Sequence, residues 1–223
     1  MIRISIVKIL AIGDPHGDLE KIKKIPIKNI NLILITGDLG SANLVRKMAF
    51  ENIDKQKQGL DKKEFPNSMK KKAYLEVYNS SLKIVKYLSN FAPVFLIYGN
   101  ADKHNKEIKE LPKEIKQKLP FMYNDLIHIN NVTIINNKIA NFNGIRIWGL
   151  EYFVDTCWIK EFKPNDYVKK MKKAKKESDK ARKVLRKYKN IDILLCHQPP
   201  YWILKLVLKE LLNLGLANMQ EAK

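Results

Sequence analysis

Cysteine is nearly absent from this chain: two residues in 223, Cys157 and Cys196, stand in separate segments with no CxxC spacing. That excludes a disulfide framework and fits an intracellular, reducing, cytoplasmic setting. Long hydrophobic runs are missing too. Lys8 interrupts the first apolar stretch, and Lys205, Lys209 and Glu210 interrupt the last, so no segment reaches the roughly 18 apolar residues of a membrane span. The opening MIRISIVKILAIG has no small-residue cleavage motif and is read as a buried strand rather than a secretory leader. Acidic residues are scarce, 23 against 42 Lys and Arg, for a formal net charge of +19. Such a balance favours anionic partners or substrates without choosing among them. A compositional bias or a hot habitat accounts for it equally well. There is no internal repeat and no low-complexity linker. At 45% apolar content the chain can bury one sizeable core, and a single domain over residues 1–223 is expected.

What is present is an alternation of β-type and helical runs. Residues 4–12, 32–36, 93–98 and 191–196 are nearly continuous in aliphatic side chains, the signature of strands covered on both faces. Residues 18–29 read as a short helix or loop, and residues 41–90 as mostly helical with a break near Pro66. Residues 126–150 carry β-rich runs separated by Asn pairs and by Asn143-Gly144, a hairpin cue, so antiparallel strands are expected there. Val168, Met171, Ala174, Ser178, Ala181, Val184, Leu185 and Tyr188 recur at intervals of three and four and predict one helix over 165–189 with an apolar stripe. A last helix is expected after Pro200, ending at Gly215.

Each of the four buried strands runs into ligand-type chemistry: Asp14 and His16 after the first, Asp38 after the second, Asn100 after the third, His197 after the fourth. Binding sites of open α/β sheets form beyond the carboxyl ends of the strands, where these groups would converge. Taken singly, each also reads as an ordinary turn or strand end, and it is the repetition that carries the reading. Carboxylates, an amide oxygen and neutral imidazoles suit a divalent ion such as Mn, Fe, Zn or Ni, and the absence of cysteine argues against a structural thiolate site. Gly13, Gly17, Gly37 and Gly99 flank the polar groups, as sharp turns and close approach of anions require. On extended backbone Asp14 and His16, two apart, point the same way and can grip one ion, with Pro15 stiffening the turn.

The ordered set Asp14-x-His16, Gly37-Asp38, Gly99-Asn100 and the strand-end His197 resembles the calcineurin-like metallophosphoesterases over almost the whole chain, and WGLEYF at 148–153 is similar to the middle hairpin of that family. The resemblance implies an α/β fold of two mixed β-sheets packed as a sandwich and flanked by helices. It implies two divalent ions, Mn foremost, one held by Asp14, His16 and a bridging Asp38, the other by Asp38, Asn100 and His197. It implies hydrolysis of a phosphate mono- or diester by in-line attack of a metal-bridging hydroxide.

The chain departs from that family at three places. Gly-Asn-His becomes Gly99-Asn100-Ala101, which removes an imidazole that would assist the leaving group; Asp102 and His104 are the candidate substitutes. The C-terminal Gly-His-x-His is absent, and Asn218 and Gln220 are the only amides at a comparable place. Lysine-rich helical insertions are expected at about 41–90 and 158–190. Between Lys160 and Lys189 there are 14 Lys and Arg against four acidic residues. Two readings of that helix stand: a solvated face, or a nucleic-acid or other polyanion surface with Trp158, Tyr167 and Tyr188 for stacking. The departures also keep open a non-catalytic member of the fold that binds metal or polyanions.

Overall fold

The computed structural model describes residues 6–102, 108–109, 111–151, 156–162, 166–187 and 190–198. His104, Tyr188, Asn218, Gln220 and the helix expected after Pro200 lie outside the described residues, as does the side chain of Trp158.

Four parallel strands form the first sheet in the order β1 (Ile9–Ile12), β2 (Leu32–Ile35), β3 (Val94–Leu96) and β4 (Val132–Ile134). A second sheet pairs β5 (Ile139–Phe142) antiparallel to β6 (Ile145–Leu150), and β6 parallel to β7 (Ile193–Cys196). The sandwich of two sheets flanked by helices is present. Within it the first sheet is parallel throughout and the second is mixed. The Asn143-Gly144 turn joins β5 to β6 with φ of 50° and 88°, as a two-residue hairpin with left-handed central residues requires. The remainder of the β-rich stretch behaves differently: residues 126–127 end the helix α5 (Met122–Ile127), and β4 joins β3 in parallel.

Side-chain alternation along β2 explains the layers. Ile33 and Ile35 face one way, into a core with Ile84, Val85, Leu88, Met122 and Leu126; Leu32 and Leu34 face the other, against Phe95, Ile97, Ile147 and Leu195 of both sheets. The first core lies under α3 (Asn67–Ser89) and α5, together with Ile22 of the short α1 (Leu19–Lys23). On the far side of the second sheet, Trp148 and Leu150 pack with Ala181 of α7 (Tyr167–Lys187). The order is helices, sheet, sheet, helix.

That arrangement changes the meaning of both lysine-rich segments. Parallel strands need a crossover to return the chain to the same edge, and helices usually supply it. The α3 helix is the crossover from β2 to β3 and buries Ile84, Val85 and Leu88; α7 lies between β6 and β7 and buries Ala174 and Ala181. Neither is a mere insertion. The part that behaves as one is α2 (Asn43–Lys57), which buries none of its residues. Two short helices, α4 (Lys113–Gln117) and α6 (Thr156–Phe162), complete the described elements. Among the described residues no helix is long and apolar enough to cross a membrane.

Candidate metal centre

The parallel order of β1, β2 and β3 brings their carboxyl ends to one edge, and His197 reaches the same place from the end of β7. All five residues singled out from the sequence converge there. Asp38 is the hub, 4% exposed. Its Oδ2 lies 3.9 Å from His16 Nε2, and its Oδ1 lies 3.9 Å from His197 Nε2 while accepting the Ala101 N–H at 2.7 Å. One carboxylate thus divides its oxygens between two imidazoles. Asn100 Oδ1 stands 3.0 Å from His197 Nε2, and Asp14 Oδ1 stands 3.4 Å from His197 Nδ1.

The route by which Asp14 and His16 arrive differs from the sequence expectation. Their φ angles are 43° and 44°, left-handed rather than extended, and Asp38 itself is at 49°. They therefore do not project side by side as alternate residues of a strand would: Asp14 turns to His197 and His16 to Asp38. The curl is held by backbone bonds from His16 N to Asp38 O at 2.9 Å and from Gly17 N to Leu39 O at 3.0 Å, which lay the first loop along the second. Non-glycine residues at positive φ are costly and gather at functional sites. Three of them meet in this one cluster.

Of the four flanking glycines, Gly99 is needed for a reason other than the approach of an anion. A Cβ there would fall 2.3 Å from Asp38 Oδ1 and 2.6 Å from His197 Cε1, so its bareness lets the candidate ligands close up. Gly37, at φ 101°, packs its α-carbon against the Gly99 backbone. Gly13 has no such constraint, since an added Cβ would meet only Thr36 Oγ1 at 3.5 Å.

Asp102 is placed by the structure as a clasp between loops. It is 3% exposed, and its two oxygens accept N–H bonds from Leu39 and Gly99, both at 2.9 Å. Burial pushes its carboxyl up to about 6, with the Gly99 N–H bond pulling the other way and the Asp38 charge adding to the rise. With both oxygens committed to backbone, Asp102 holds the Asp38 and Asn100 loops in register and is not positioned as the proton donor considered for it above. Asp102→Asn would set an amide N–H against one of those donors. The expected outcome is a loss of about 1–3 kcal/mol of stability, read by denaturant melting.

Two contributors were not seen in the sequence. The Thr36 carbonyl lies 3.0 Å from His197 Nδ1. With Asp14 Oδ1 beside it at 3.4 Å, Nδ1 faces two acceptors, and a proton held there would leave the Nε2 lone pair for an ion; Nε2 in turn faces the oxygens of Asn100 and Asp38. The other is Arg46, whose guanidinium is 3.0 Å from His16 Nε2. It rides on the first turns of α2, whose start is anchored from α3 by Glu76 through Leu44 N and Ser41 Oγ, each at 3.0 Å. Its only trace in the sequence is that it is the sole arginine in the lysine-rich stretch 41–90.

The donor chemistry fits a cation. His197 Nε2, Asn100 Oδ1 and Asp38 Oδ1 are electron-pair donors gathered on one another, an arrangement that a positive ion relieves. His16 Nδ1 is buried without a hydrogen-bond partner. The spacing of 3.9 Å between each imidazole nitrogen and its Asp38 oxygen is too wide for a hydrogen bond. It is somewhat wider than the roughly 3.3–3.6 Å between neighbouring ligands of a tetrahedral ion at bond lengths of about 2.0–2.2 Å, so binding would draw the groups inward. Among the described residues no group of three or more His, Cys, Asp or Glu side chains is placed to hold a metal ion as it stands; the second set includes an asparagine, and Arg46 lies 3.0 Å from His16 Nε2.

Compared with protein families, the chain matches the calcineurin-like phosphoesterases over residues 7–216. The chain belongs to that family, whose members are in general phosphoesterases that use a dinuclear divalent metal centre. A solved crystal structure resembles it with a TM-score of 0.49 and 13% sequence identity, over 86% of this chain and 69% of the other. None of the curated proteins matches.

Proposed function

We propose that this protein is a divalent-metal-dependent phosphoesterase acting on a phosphate mono- or diester, with two Mn ions favoured and Fe, Zn or Ni as alternatives. The observation that supports it best is the shared carboxylate of Asp38. As in the family, Asp14, His16 and Asp38 would hold one ion, for which Asp14 would have to turn from His197 toward His16, and Asp38, Asn100 and His197 would hold the other. When bound, such ions supply Lewis acidity toward phosphoryl oxygens and a more acidic water. The protein does the rest. The Thr36 carbonyl would accept a proton held on His197 Nδ1, the Ala101 N–H steadies Asp38, and Asp102 keeps the two loops at their separation.

Position 101 offers only a methyl group, so the side chain there can lend no proton to a departing group; His104 lies outside the described residues. General acid catalysis is worth about 10²- to 10⁴-fold, and the substrates that lose least without it are those with weakly basic leaving groups. The test is Mn-stimulated hydrolysis of a bis-aryl phosphate diester. Turnover is expected in the wild type and absent in His16→Ala; metal binding without turnover would leave a binding protein instead. The free thiols of Cys157 and Cys196 suit a reducing, cytoplasmic setting.

A polyanion is proposed as the partner of α7. Lys172, Lys175, Lys176 and Lys183 are exposed and share one face by helical spacing, opposite the buried Ala174 and Ala181. If duplex DNA binds there, the logarithm of affinity should fall with the logarithm of salt by about 0.9 per neutralised phosphate. Replacing these four lysines by glutamine should flatten that slope, and a wild-type affinity indifferent to salt would remove the partner.

A further inference from the structure

Beside the candidate centre lies a cleft of about 630 Å³ between α2 and α3, and it opens onto Asp38, Asn100 and Ala101. Its floor is apolar and formed by Phe65, Ala73, Tyr74 and Val77, all buried. Tyr74 is among the lining residues, and its hydroxyl donates to the Pro120 carbonyl at 2.7 Å. Arg46 lines the cleft where it meets the centre, and Ala49 lines its α2 wall.

We infer that this cleft holds the leaving group of the ester, an aromatic alcohol, and that Arg46 stabilises the leaving oxygen by charge. The inference rests on the hydrolase reading and names its substrate class. Three features converge on it. The cleft reaches the centre at Ala101, where a small side chain lets a bulky group lie against Asp38 and Asn100. Its floor is apolar and aromatic, as a ring would require and a free phosphate or sugar would not. The group at the junction is a guanidinium, which is always charged and cannot serve as an acid. The reaction balances without one: a water oxygen forms the new bond to phosphorus, the bond to the leaving oxygen breaks with its electron pair, and the proton of the water passes to solvent. The departing aryloxide develops negative charge beside Arg46, where a fixed positive group acts more strongly on the transition state than on the ester.

Substitutions at two positions test it, each checked for folding by thermal melting and assayed with saturating Mn. In Arg46→Gln, kcat/KM for a series of aryl phosphate diesters should fall by about 10²-fold for the most basic phenol and far less for nitrophenols, steepening the dependence on leaving-group pKa. Arg46→Lys should restore part of the shallower slope. Equal loss across the series overturns the role of Arg46. Ala49→Trp adds an indole at an exposed position of α2 and should fill the cleft. The preference for a phenyl over a methyl ester is then expected to drop by about tenfold or more. A second readout needs no turnover: phenylphosphonate should bind more tightly than methylphosphonate by calorimetry, and Ala49→Trp should erase the difference. Equal binding of the two by the wild type overturns the cleft assignment. A protein that discriminates the phosphonates yet hydrolyses no ester supports the cleft and refutes the hydrolase reading.

Discussion

Asp38→Ala is expected to empty the centre and end turnover. Both imidazoles face this one carboxylate, His16 through Oδ2 and His197 through Oδ1, so its removal takes a ligand from each side at once. The loss of Mn affinity should go well beyond the roughly 10- to 100-fold that removal of a supporting residue produces. Elemental analysis of dialysed protein should find Mn in the wild type and next to none in the variant. A structural cost accompanies the chemical one, since Oδ1 also accepts the Ala101 N–H; a buried donor left without a partner costs about 1–3 kcal/mol. Asp38→Asn separates the two effects. It retains an acceptor for Ala101 but removes the charge, so it should melt near the wild type while still failing to hold two ions.

Gly99→Ala is expected to disable the centre by adding one methyl group. Its Cβ would stand 2.3 Å from Asp38 Oδ1, 2.6 Å from Asp38 N and 2.6 Å from His197 Cε1. Neither neighbour can yield easily, because Asp38 N is backbone and the His197 ring is tied to Thr36. Forced overpacking of this kind costs about 1–3 kcal/mol, and here the displaced atoms are the proposed ligands. Mn titration by calorimetry should show affinity reduced in far greater proportion than stability. Gly13→Ala is the control: with only Thr36 Oγ1 within reach, at 3.5 Å, it should titrate like the wild type. Equal binding by both variants would mean that Gly99 is not what allows the centre to close.

The strands that position the centre were legible because buried parallel strands are written as unbroken aliphatic runs. Leu32–Ile35 and Val94–Leu96 sit inside the segments expected for them. The gathering of Asp14, His16, Asp38, Asn100 and His197 followed from their place at strand ends, a consequence of topology more than of local pattern. Local pattern failed where tertiary bonds decide the backbone. The left-handed φ at Asp14 and His16 is imposed by pairing with the Asp38–Leu39 loop, which no periodicity records. The clasp of Asp102 is likewise a contact across 63 residues to Leu39 N. Helix α7 resembled an insertion because its outward faces are lysine; the stripe that holds Ala174 and Ala181, both buried, was legible, but not the sheet it would meet. Residues 126–131 read as strand because Ile and Leu serve both a short buried helix and a strand; α5 places Leu126 in the core by helical packing.

The proposed centre requires that Asp38 be shared between two cations. Anomalous diffraction from crystals soaked in manganese tests it directly. Two peaks are predicted, one bounded by His197 Nε2, Asn100 and Asp38 Oδ1, the other lying between His16 and Asp38 Oδ2 with Asp14 nearby. A map with no peak at Asp38, or with manganese only at sites away from these residues, would contradict it.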